Sequence, residues 1–518
     1  MTRRVLGTET EFGITDANDP AANPVVLSAT AVEEYAGSVS IGEVVRWDYS
    51  GEDPLNDARG YRLQRAAAHP SMLTDDPYRL APPGGVSFED RPGEYERYMQ
   101  RATSVVLSNG ARFYVDHAHP EYSSPETASA LDAVLFDRAG DLLATRVMEV
   151  CAKAGTDLVL YKNNTDGKGA AYGTHENYQV SREVDFDDIT RAMIPFLVTR
   201  PVICGSGRVG LGQHSLQPGF QISARADFVE NSVGLETTFN RPIVNTRDEP
   251  HADHHQFRRF HVINGDANQF DMSTYLRLGT TSLVLRALEG DLDLSIDSLA
   301  LDQDDVQTAW DVSHDVSMTR LIRLRSGEAV TAPQLQRKYL HFVRTHLQLD
   351  EADEAICQEW ERVLGGLETD LASVAADVEW VGKYLLFERQ RQRLGVAWDD
   401  PRLRAMDLQW ADLRPSKSLV AALDRAGRVR RLFAPDEVAR ALTEPPEDTR
   451  ARVRGKAISL VPEVVKASWT SLVVDQPGQD RLVRIPLPDP NQAGDQDLMC
   501  ALDEGAHALI GLFDGGKE

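Results

Sequence analysis

Two short segments alternate between apolar and ionisable residues, which restricts each of them to a strand with one charged face. In VLGTETEF, residues 5–12, Glu9 and Glu11 lie two positions apart. The stretch ARFYVDHAHPEYSSPE, residues 111–126, begins with the same alternation. Its polar positions are Arg112, Tyr114 and Asp116. Because side chains along a strand repeat with a period of two, a sheet that joins these strands collects acids on one surface.

Clustered carboxylates on one sheet face require a cation, because like charges at close range repel strongly. The second strand ends at a His-Pro step, after which Glu121 and Ser124 come close to the same face. Oxygen ligands with an occasional imidazole favour Mg²⁺ or Mn²⁺, and Mg²⁺ is commonly shared between protein carboxylates and nucleotide phosphates. From these residues alone, a solvated strand with surface acids is the alternative.

The composition argues against several classes of protein. The chain has 518 residues and a formal net charge of −25, which opposes non-specific binding to nucleic acid or to an anionic membrane. It has no run of about 18 apolar residues, and its first residues do not resemble a secretory signal, so we expect a cytoplasmic protein. The four cysteines stand far apart, which predicts neither disulfides nor a zinc-thiolate site. They are Cys151, Cys204, Cys357 and Cys500.

The order of segments predicts a large α+β domain followed by a small one. Residues 41–85 are rich in Gly, Pro and Asp, which predicts a long mobile loop. Helical periodicity follows at 281–290, 333–348 and 351–390. The segment 443–455 has the composition of a linker, and the strand-like WTSLVV and RLVRIPL follow it. We therefore predict domains at 1–445 and 446–518.

Two further segments add imidazoles, arginines and glycine turns. KNNTDGKGAAYGTHENYQV, residues 162–180, is a glycine-rich turn that leads to a strand carrying His175, and glycine lets a backbone approach a phosphate closely. RPIVNTRDEPHAD begins with Arg241 and contains Arg247 and His251, and arginine binds phosphate or carboxylate bidentately. A hydrogen-bonded structural histidine and a salt-bridged loop are the alternatives. Together these segments favour an enzyme that binds a Mg-nucleotide over a scaffold.

The motifs resemble a known superfamily. The two-glutamate first strand, the HEN strand and the GDAN turn look like those of the carboxylate-amine ligases, which include glutamine synthetase and glutamate-cysteine ligase. More closely, GTETEFG, VDHAHPEYSSPE, YGTHENY, RPIVNTRDEPHAD and KASWTSL resemble the Pup ligase family, whose members attach the small protein Pup to lysines or remove it. The resemblance implies an α+β fold with a glutamine synthetase-like domain, in which a curved antiparallel sheet cradles the active site, helices cover its outer side, and a small C-terminal domain follows.

One branch of this family fits better than the other. The insert that begins with RWDYSGEDPLNDARG resembles the depupylase branch, and the glycine-serine step expected in the ligase branch before His-Pro-Glu is absent. The resemblance therefore implies an amidohydrolase that deamidates the C-terminal glutamine of Pup and cleaves the isopeptide bond between Pup and substrate lysines. The alternatives are a Pup-protein ligase that forms this bond with ATP hydrolysis, and a catalytically inactive protein that holds Pup-tagged proteins.

The resemblance also implies roles for individual residues. Asp116 matches the catalytic aspartate. The positions assigned to metal are Glu9, Tyr114, Glu121, His175 and His251. The positions assigned to the nucleotide or its phosphates are Arg112, Ser124, Trp469, Arg241 and Arg247. Serine stands at position 124 where the ligase pattern has threonine, so that contact depends on the hydroxyl alone.

The implied cofactors are Mg²⁺ and ATP, or ADP with phosphate. The nucleotide would organise the site rather than supply energy, since amide hydrolysis in water is already downhill. Asp116 would attack the side-chain carbonyl or activate the attacking water. The implied partners are Pup and pupylated proteins, with an indirect link to the bacterial proteasome, and we expect neither nucleic acid nor a membrane.

Overall fold

The computed structural model describes residues 4–40, 42–64, 68, 103–167, 169–290, 294–476, 478 and 481–514. Within the predicted loop, residues 41, 65–67 and 69–85 lie outside the described residues. Among the described residues, no helix combines the length and the apolar composition needed to cross a membrane.

The described residues form eighteen strands. They are β1 Leu6–Glu11, β2 Gly13–Asp16, β3 Val44–Trp47, β4 Ser104–Leu107, β5 Arg112–Asp116, β6 His119–Ser123, β7 Leu158–Tyr161, β8 Thr174–Ser181, β9 Arg208–Gly210, β10 Gly219–Gln221, β11 Asn231–Gly234, β12 Pro242–Asn245, β13 Phe257–Val262, β14 Ile322–Arg323, β15 Ala329–Val330, β16 Val464–Ala467, β17 Ser471–Asp475 and β18 Leu482–Pro486.

The same residues form fifteen α-helices. They are α1 Pro24–Ser38, α2 Ala130–Ala154, α3 Phe186–Thr199, α4 Pro201–Cys204, α5 Asp271–Gly290, α6 Asp305–His314, α7 Ala332–His346, α8 Glu351–Thr369, α9 Glu379–Leu394, α10 Pro401–Ala411, α11 Leu419–Arg425, α12 Pro435–Ala441, α13 Ala451–Leu460, α14 Gln496–Glu504 and α15 Ala506–Asp514.

One sheet of twelve strands organises the molecule, in the order β11, β12, β13, β8, β1, β6, β5, β4, β3, β16, β17, β18. Neighbouring strands are antiparallel except for the pairs β11 with β12 and β3 with β16. Strand β1 is central, and its Glu9 lies opposite His175 of β8. Glu121 of β6 lies opposite Glu11 of β1 on one side and Tyr114 of β5 on the other. This register brings acids from separate segments onto one face.

Helices cover the other, apolar face of the central strands. Phe12, Phe113 and Tyr122 of the sheet pack in one buried cluster with Leu143 of α2. A side chain at Gly140 would meet the ring of Tyr122 at 2.5 Å, so glycine is needed for α2 to approach the sheet this closely. The predicted α+β fold, with a mainly antiparallel sheet and helices on its outer side, is confirmed by this architecture.

Two predicted boundaries need correction. The segment Val44–Trp47 forms β3 within the main sheet, because its apolar residues pair with β4 and bury Trp47, so a loop from residue 41 begins too early. The predicted helix 351–390 is two helices, since Asp370 ends α8 and its side chain accepts a hydrogen bond from the N–H of Ala372 in a short 3₁₀ turn.

The C-terminal strands continue the main sheet rather than forming one of their own, because β16 pairs with β3. Their apolar side chains nevertheless pack with α13 in a buried cluster that also contains Trp47 and Val106. Helix α13 begins inside the predicted linker, at Ala451. The division into domains at 1–445 and 446–518 stays a prediction.

Candidate active site

The candidate active site is a cavity of about 530 Å³ on the polar face of the central sheet. Strands β1, β5, β6, β8 and β13 supply most of its charged side chains, and the loop after β12 supplies others. Its lining includes Glu9, Arg112, Tyr114, Asp116, Glu121, His175, Arg247, His251 and Trp469. The structure therefore brings together the predicted site residues except Ser124 and Arg241.

Glu9, His175 and His261 form a first group of potential metal ligands, with one ligand atom of each within 4.8 Å of the others. The carboxylate of Glu9 lies 3.3 Å from Nδ1 of His175 and accepts a hydrogen bond from the side-chain amide of Asn177 at 3.0 Å. Nδ1 of His261 lies 3.2 Å from Oδ1 of Asn245, which leaves Nε2 facing Glu9. Burial lowers the pKa of His261 well below its ordinary value, so its ring is neutral, the form that binds metal.

This first group fits a divalent cation. Nε2 of His175 and Nε2 of His261 are both buried, and neither has a hydrogen-bond partner within the part of the chain that the structure describes. Burial would raise the pKa of Glu9, but the hydrogen bond with His175 and the charges around it lower that pKa below its ordinary value. An ionised carboxylate beside two imidazoles suits a first-row ion at least as well as Mg²⁺.

Glu11, Asp116 and Glu121 form a second group, whose carboxylate oxygens also lie within 4.8 Å of one another. Tyr114 donates a hydrogen bond to Glu121 at 2.8 Å, and the backbone N–H of Gly173 donates one to Glu11 at 2.9 Å. Burial and then the negative charge of Asp116 raise the pKa of Glu121 well above its ordinary value. Three carboxylates at this spacing repel one another unless a proton or a cation lies among them, so the group fits Mg²⁺.

Asp116 ends β5 at the edge of the cavity, where its side chain is 28% exposed. Nδ1 of His117 lies 2.8 Å from its carboxylate, and His117 adopts a left-handed backbone with φ of 51°. Burial would raise the pKa of Asp116, but the hydrogen bond with His117 lowers it below its ordinary value. An ionised and accessible carboxylate of this kind can act as a base or a nucleophile.

An aromatic wall lines another part of the cavity. The guanidinium carbon of Arg112 lies 4.0 Å from the ring centre of Trp47 and 3.9 Å from that of Tyr114. Nη1 of Arg112 lies 3.1 Å from the carboxylate of Glu52. The rings of Trp47 and Trp469 meet edge to face with their centres 5.2 Å apart. A stacked guanidinium beside two indoles offers apolar surface to a planar base and a fixed charge to a phosphate.

A second cavity of about 100 Å³ adjoins the first and shares His251 and Trp469 with it. Ser124 lines this second cavity. Its hydroxyl accepts a hydrogen bond from the N–H of Thr8 at 3.0 Å and donates one to the carbonyl of Pro125 at 3.1 Å. The hydroxyl of Ser124 is therefore engaged with the backbone and links β1 to the end of β6.

In the segment RPIVNTRDEPHAD, some side chains line the first cavity and others lie outside it. Nε of Arg247 lies 3.0 Å from Glu249, whose carboxylate also lies 3.4 Å from Arg259. Burial lowers the pKa of His251 to about 4, so this imidazole is neutral as well. His251 belongs to neither of the two ligand groups found among the described residues. Arg241 lines neither cavity.

His261 and Arg259 also line the cavity and were not predicted from the sequence. Both lie on β13, and they reach the site because β13 pairs with β8, where His261 is opposite Asn177. The alternation in FRRFHV, residues 257–262, is the signal that identifies this strand. Glu11 was recognised as an acid on the correct face but not as a member of a ligand group.

A mainly antiparallel sheet with acids, imidazoles and an aromatic wall on one face, backed by helices on the other, is the arrangement of a carboxylate-amine ligase-like enzyme. More closely, residues 4–473 match the family model described as Pup-ligase protein, and the chain belongs to this family.

Relatives with curated names match nearly the whole chain. A protein from Acidothermus cellulolyticus named Depupylase is 42% identical, with 99% of this chain and 100% of that protein covered. A protein from Mycolicibacterium smegmatis named Pup deamidase/depupylase is also 42% identical, with 97% of each chain covered.

Solved structures of ligases share the fold at lower identity. The ligase PafA in complex with the prokaryotic ubiquitin-like protein Pup is 28% identical with a TM-score of 0.76, covering 100% of this chain and 96% of that chain. The Pup ligase PafA in complex with ADP is 32% identical with a TM-score of 0.70, covering 82% of this chain and 96% of that chain.

Proposed function

We propose that the protein hydrolyses amide bonds at the C-terminus of Pup. It converts a terminal glutamine to glutamate with release of ammonia, and it cleaves the isopeptide bond between Pup and a substrate lysine. The observation that carries this proposal is the 42% identity to a depupylase along 99% of the chain, against 34% to 39% for the Pup–protein ligases found in the same comparison. Pup and pupylated proteins are then its partners, in a cytoplasmic pathway linked to the bacterial proteasome.

The proposed mechanism centres on Asp116, which supplies an ionised carboxylate at the edge of the cavity. Asp116 attacks the side-chain carbonyl of the terminal residue, or it removes a proton from the water that attacks. The carbon-nitrogen bond then breaks, the departing amine takes a proton, and water supplies the oxygen of the new carboxylate. His117 holds Asp116 in place through the hydrogen bond at 2.8 Å.

The proposed cofactors are a nucleotide, ATP or ADP with phosphate, and Mg²⁺. Arg112, Trp469 and Arg247 line the cavity at positions suited to hold the base and the phosphates. Glu9 and His175, joined by His261, would hold one cation, and the acid group that contains Glu121 would hold another. A bound divalent cation supplies positive charge that neutralises phosphate oxygens and polarises a carbonyl. Tyr114 and His251 take supporting positions, and Ser124 fixes the backbone beside the nucleotide.

The decisive experiment is mass spectrometry of Pup ending in glutamine after incubation with the enzyme and Mg-ATP. Deamidation adds about one dalton, because an amide nitrogen with its two hydrogens is replaced by a hydroxyl group. A Pup conjugate should in parallel release free Pup and the unmodified protein. No mass change with Pup-Gln and no release from the conjugate would refute the proposal.

The ligase alternative predicts a different result when Pup ending in glutamate and a protein with accessible lysines are incubated with the enzyme and Mg-ATP. A ligase joins Pup ending in glutamate to a lysine and consumes ATP in proportion to the bonds formed. The hydrolase should turn over many Pup molecules for each nucleotide consumed. Formation of a new conjugate with matching release of ADP would favour the ligase.

The metal assignment has its own test, which uses binding rather than activity. Glu9→Ala removes the carboxylate between two imidazoles, so we expect Mg-ATP to bind more weakly by calorimetry, because Glu9 would help to hold the cation that accompanies the phosphates. Glu361→Ala, on the exposed surface of α8, is the control and should leave affinity unchanged. Unchanged Mg-ATP affinity in Glu9→Ala would remove Glu9 from the site.

A further inference from the structure

A buried glutamate in the cavity has one oxygen without a hydrogen-bond partner. The side chain of Glu52 is 9% exposed and lines the cavity of about 530 Å³. Its Oε1 accepts hydrogen bonds from Nε1 of Trp47 at 2.7 Å and from Nη1 of Arg112 at 3.1 Å. Its Oε2 is buried and has no partner among the described residues. Because a buried acceptor without a donor is destabilising, this oxygen fits a hydrogen-bond donor that a ligand supplies.

The groups around Glu52 fix the direction of this free oxygen. The backbone N–H of Glu52 donates to the carbonyl of Tyr49 at 3.2 Å and ends a short 3₁₀ turn. Trp47 is 4% exposed at the end of β3. Nε of Arg112 donates to the hydroxyl of Ser104 at 3.0 Å. Both donors to Oε1 are thus held in place themselves, so Oε2 is preorganised for a ligand.

Glu52 lies between the groups proposed to hold the two ends of the nucleotide. On one side it bonds Trp47, whose ring meets that of Trp469 with the centres 5.2 Å apart. Trp469 lines the cavity and is proposed to contact the base. On the other side Glu52 bonds Arg112, which is proposed to contact the phosphates. In a nucleotide the ribose joins the base to the phosphates, so the sugar is the part closest to Glu52.

The chemistry of the free oxygen restricts what it can bind. A carboxylate in an ion pair with arginine accepts hydrogen bonds and donates none, and its charge repels phosphate oxygens. Glu52 belongs to neither of the two metal-ligand groups found within the described ranges. The donors that a nucleotide offers are its ribose hydroxyls and the amino group of its base. A carboxylate that accepts from a ribose hydroxyl is the arrangement used by dinucleotide-binding proteins.

We infer that Oε2 of Glu52 accepts a hydrogen bond from a ribose hydroxyl of the bound nucleotide and makes the site selective for ribonucleotides. This inference rests on the nucleotide binding proposed above. Glu52 belongs to the segment RWDYSGEDPLNDARG, which begins the predicted loop. The start of that loop therefore contributes a residue to the nucleotide site.

The test compares nucleotide affinities by calorimetry in the absence of Pup. The unaltered protein should bind Mg-2′,3′-dideoxyATP about 10- to 100-fold more weakly than Mg-ATP, since a hydrogen bond to a charged group is lost. In Glu52→Ala the two affinities should differ less than about 3-fold. Glu52→Gln keeps the size and forms a neutral hydrogen bond, so it should give an intermediate ratio. With the unaltered protein, 2′-deoxyATP and 3′-deoxyATP identify the hydroxyl that is bound.

A matched variant separates binding of the ribose from positioning of Arg112. Ser104→Ala removes the acceptor of Arg112 Nε but leaves Glu52 intact. It should weaken both nucleotides equally and keep the full ratio. Glu361→Ala, on the exposed surface of α8, should change neither affinity. If Glu52→Ala behaves like Ser104→Ala, with equal losses and the full ratio retained, Glu52 only positions Arg112 and the inference is overturned.

The amino group of the base is the other possible donor. Purine riboside triphosphate lacks this group but keeps both hydroxyls. If Glu52→Ala abolishes the preference for ATP over this analogue and keeps the preference over the dideoxy analogue, Glu52 contacts the base and the inference is overturned. Absence of Mg-ATP binding to the unaltered protein would also overturn it.

This binding readout is independent of the proposed reaction. Pup ending in glutamine that stays unchanged, while the nucleotide ratio depends on Glu52 as expected, would refute the hydrolysis but not the ribose contact. Normal hydrolysis with a ratio that does not depend on Glu52 would refute the ribose contact alone. Far-ultraviolet circular dichroism of each variant should match that of the unaltered protein, and the nearly isosteric Glu52→Gln decides the question if Glu52→Ala does not fold.

Discussion

The two faces of the main sheet near β8 differ in how their buried charges are paired. On the site face, four acids lie together, and within the described part of the chain none of them is within ion-pair distance of a lysine or an arginine. They are Glu9, Glu11, Asp116 and Glu121. On the other face, the fully buried Glu176 lies 2.7 and 2.8 Å from the two terminal nitrogens of Arg200 and accepts a hydrogen bond from Tyr178 at 2.6 Å.

Buried charges on the Glu176 face are paired with protein groups and stabilise the fold. Buried charges on the site face remain available to bind ligands. Protein groups supply both the positive charge and the hydrogen bonds that Glu176 needs, so this part of the fold requires no ligand for its stability. The acids around Glu121 repel one another and gain stability only when a cation or a proton joins them. The same contrast separates Arg200, which is paired with a carboxylate, from Arg225, whose Nη2 is buried without a hydrogen-bond partner among the described residues. Unpaired buried charge is therefore the feature that marks the functional face.

The largest expected effect comes from the accessible acid of the site face. Asp116→Asn keeps the size of the side chain but removes a base and a nucleophile, so both deamidation of Pup and release of Pup from a conjugate should fall at least about 10²- to 10⁴-fold. Single-turnover mass spectrometry on the two substrates gives both rates. Because no arginine or lysine in the described part of the chain forms an ion pair with Asp116, the melting temperature should change little.

A selective effect would contradict the shared mechanism. If Asp116→Asn deamidates Pup at the normal rate and fails only on conjugates, Asp116 positions the protein that leaves rather than acting on the carbonyl. His117→Ala is the matched variant, since it removes the partner of Asp116 but not the carboxylate. It should reduce activity less than Asp116→Asn does.

A substitution on the other face, where Glu176 is paired with Arg200, should change stability more than activity. Glu176→Gln leaves Arg200 buried without a negative partner, so the free energy of unfolding should fall by roughly 3–5 kcal/mol. Urea denaturation followed by tryptophan fluorescence measures this change. Glu361→Gln removes a partner of Arg344 at an exposed ion pair and should cost less than about 1 kcal/mol. Equal effects of the two substitutions would show that burial does not separate these pairs.

The sequence predicts which residues of a single strand lie on the site face better than it predicts which strands are neighbours there. Glu9, Glu11 and Asp116 could be placed on one face because alternation along a strand is local. His261 could not, since it reaches Glu9 only through the register of β13 on β8 and of β8 on β1. Strand β3 was also not predicted, because one of its two neighbours in the sheet is β16, which is distant in the sequence. Pairing between distant segments depends on tertiary packing that no local pattern records.

A third charge cluster joins the end of β6 to α13 and gives stability a dependence on pH. Burial would raise the pKa of Glu126, but Arg454 and then Arg450 lower it from 4.5 to about 2. The folded state thus binds this proton more weakly than the unfolded state. The stabilisation is fully present above about pH 4.5 and is lost as the pH falls toward 2.

The size of this effect follows from the shift. A difference of about 2.5 pKa units corresponds to roughly 3 kcal/mol at neutral pH. Glu126→Gln should remove this contribution, so its unfolding free energy should depend less on pH between 4.5 and 2 than that of the unaltered protein. Urea denaturation at several pH values measures the slope. Parallel curves for the two proteins would mean that Glu126 does not titrate differently on folding.

The smallest expected effect has the opposite sign and tests the comparison most directly. Glu121→Gln removes from the acid group the carboxyl whose pKa burial and Asp116 raise, while the new side-chain oxygen can still accept the hydrogen bond from Tyr114. In EDTA, relief of repulsion should raise the free energy of unfolding by ~1 kcal/mol. With Mg-ATP the order should reverse, because the unaltered protein gains stability from the bound cation and the variant gains less. Melting temperatures of the variant and the unaltered protein, measured in EDTA and in Mg-ATP, test both expectations. A variant that is less stable than the unaltered protein in EDTA would mean that Glu121 stabilises the fold itself and is not an unpaired acid available to a ligand.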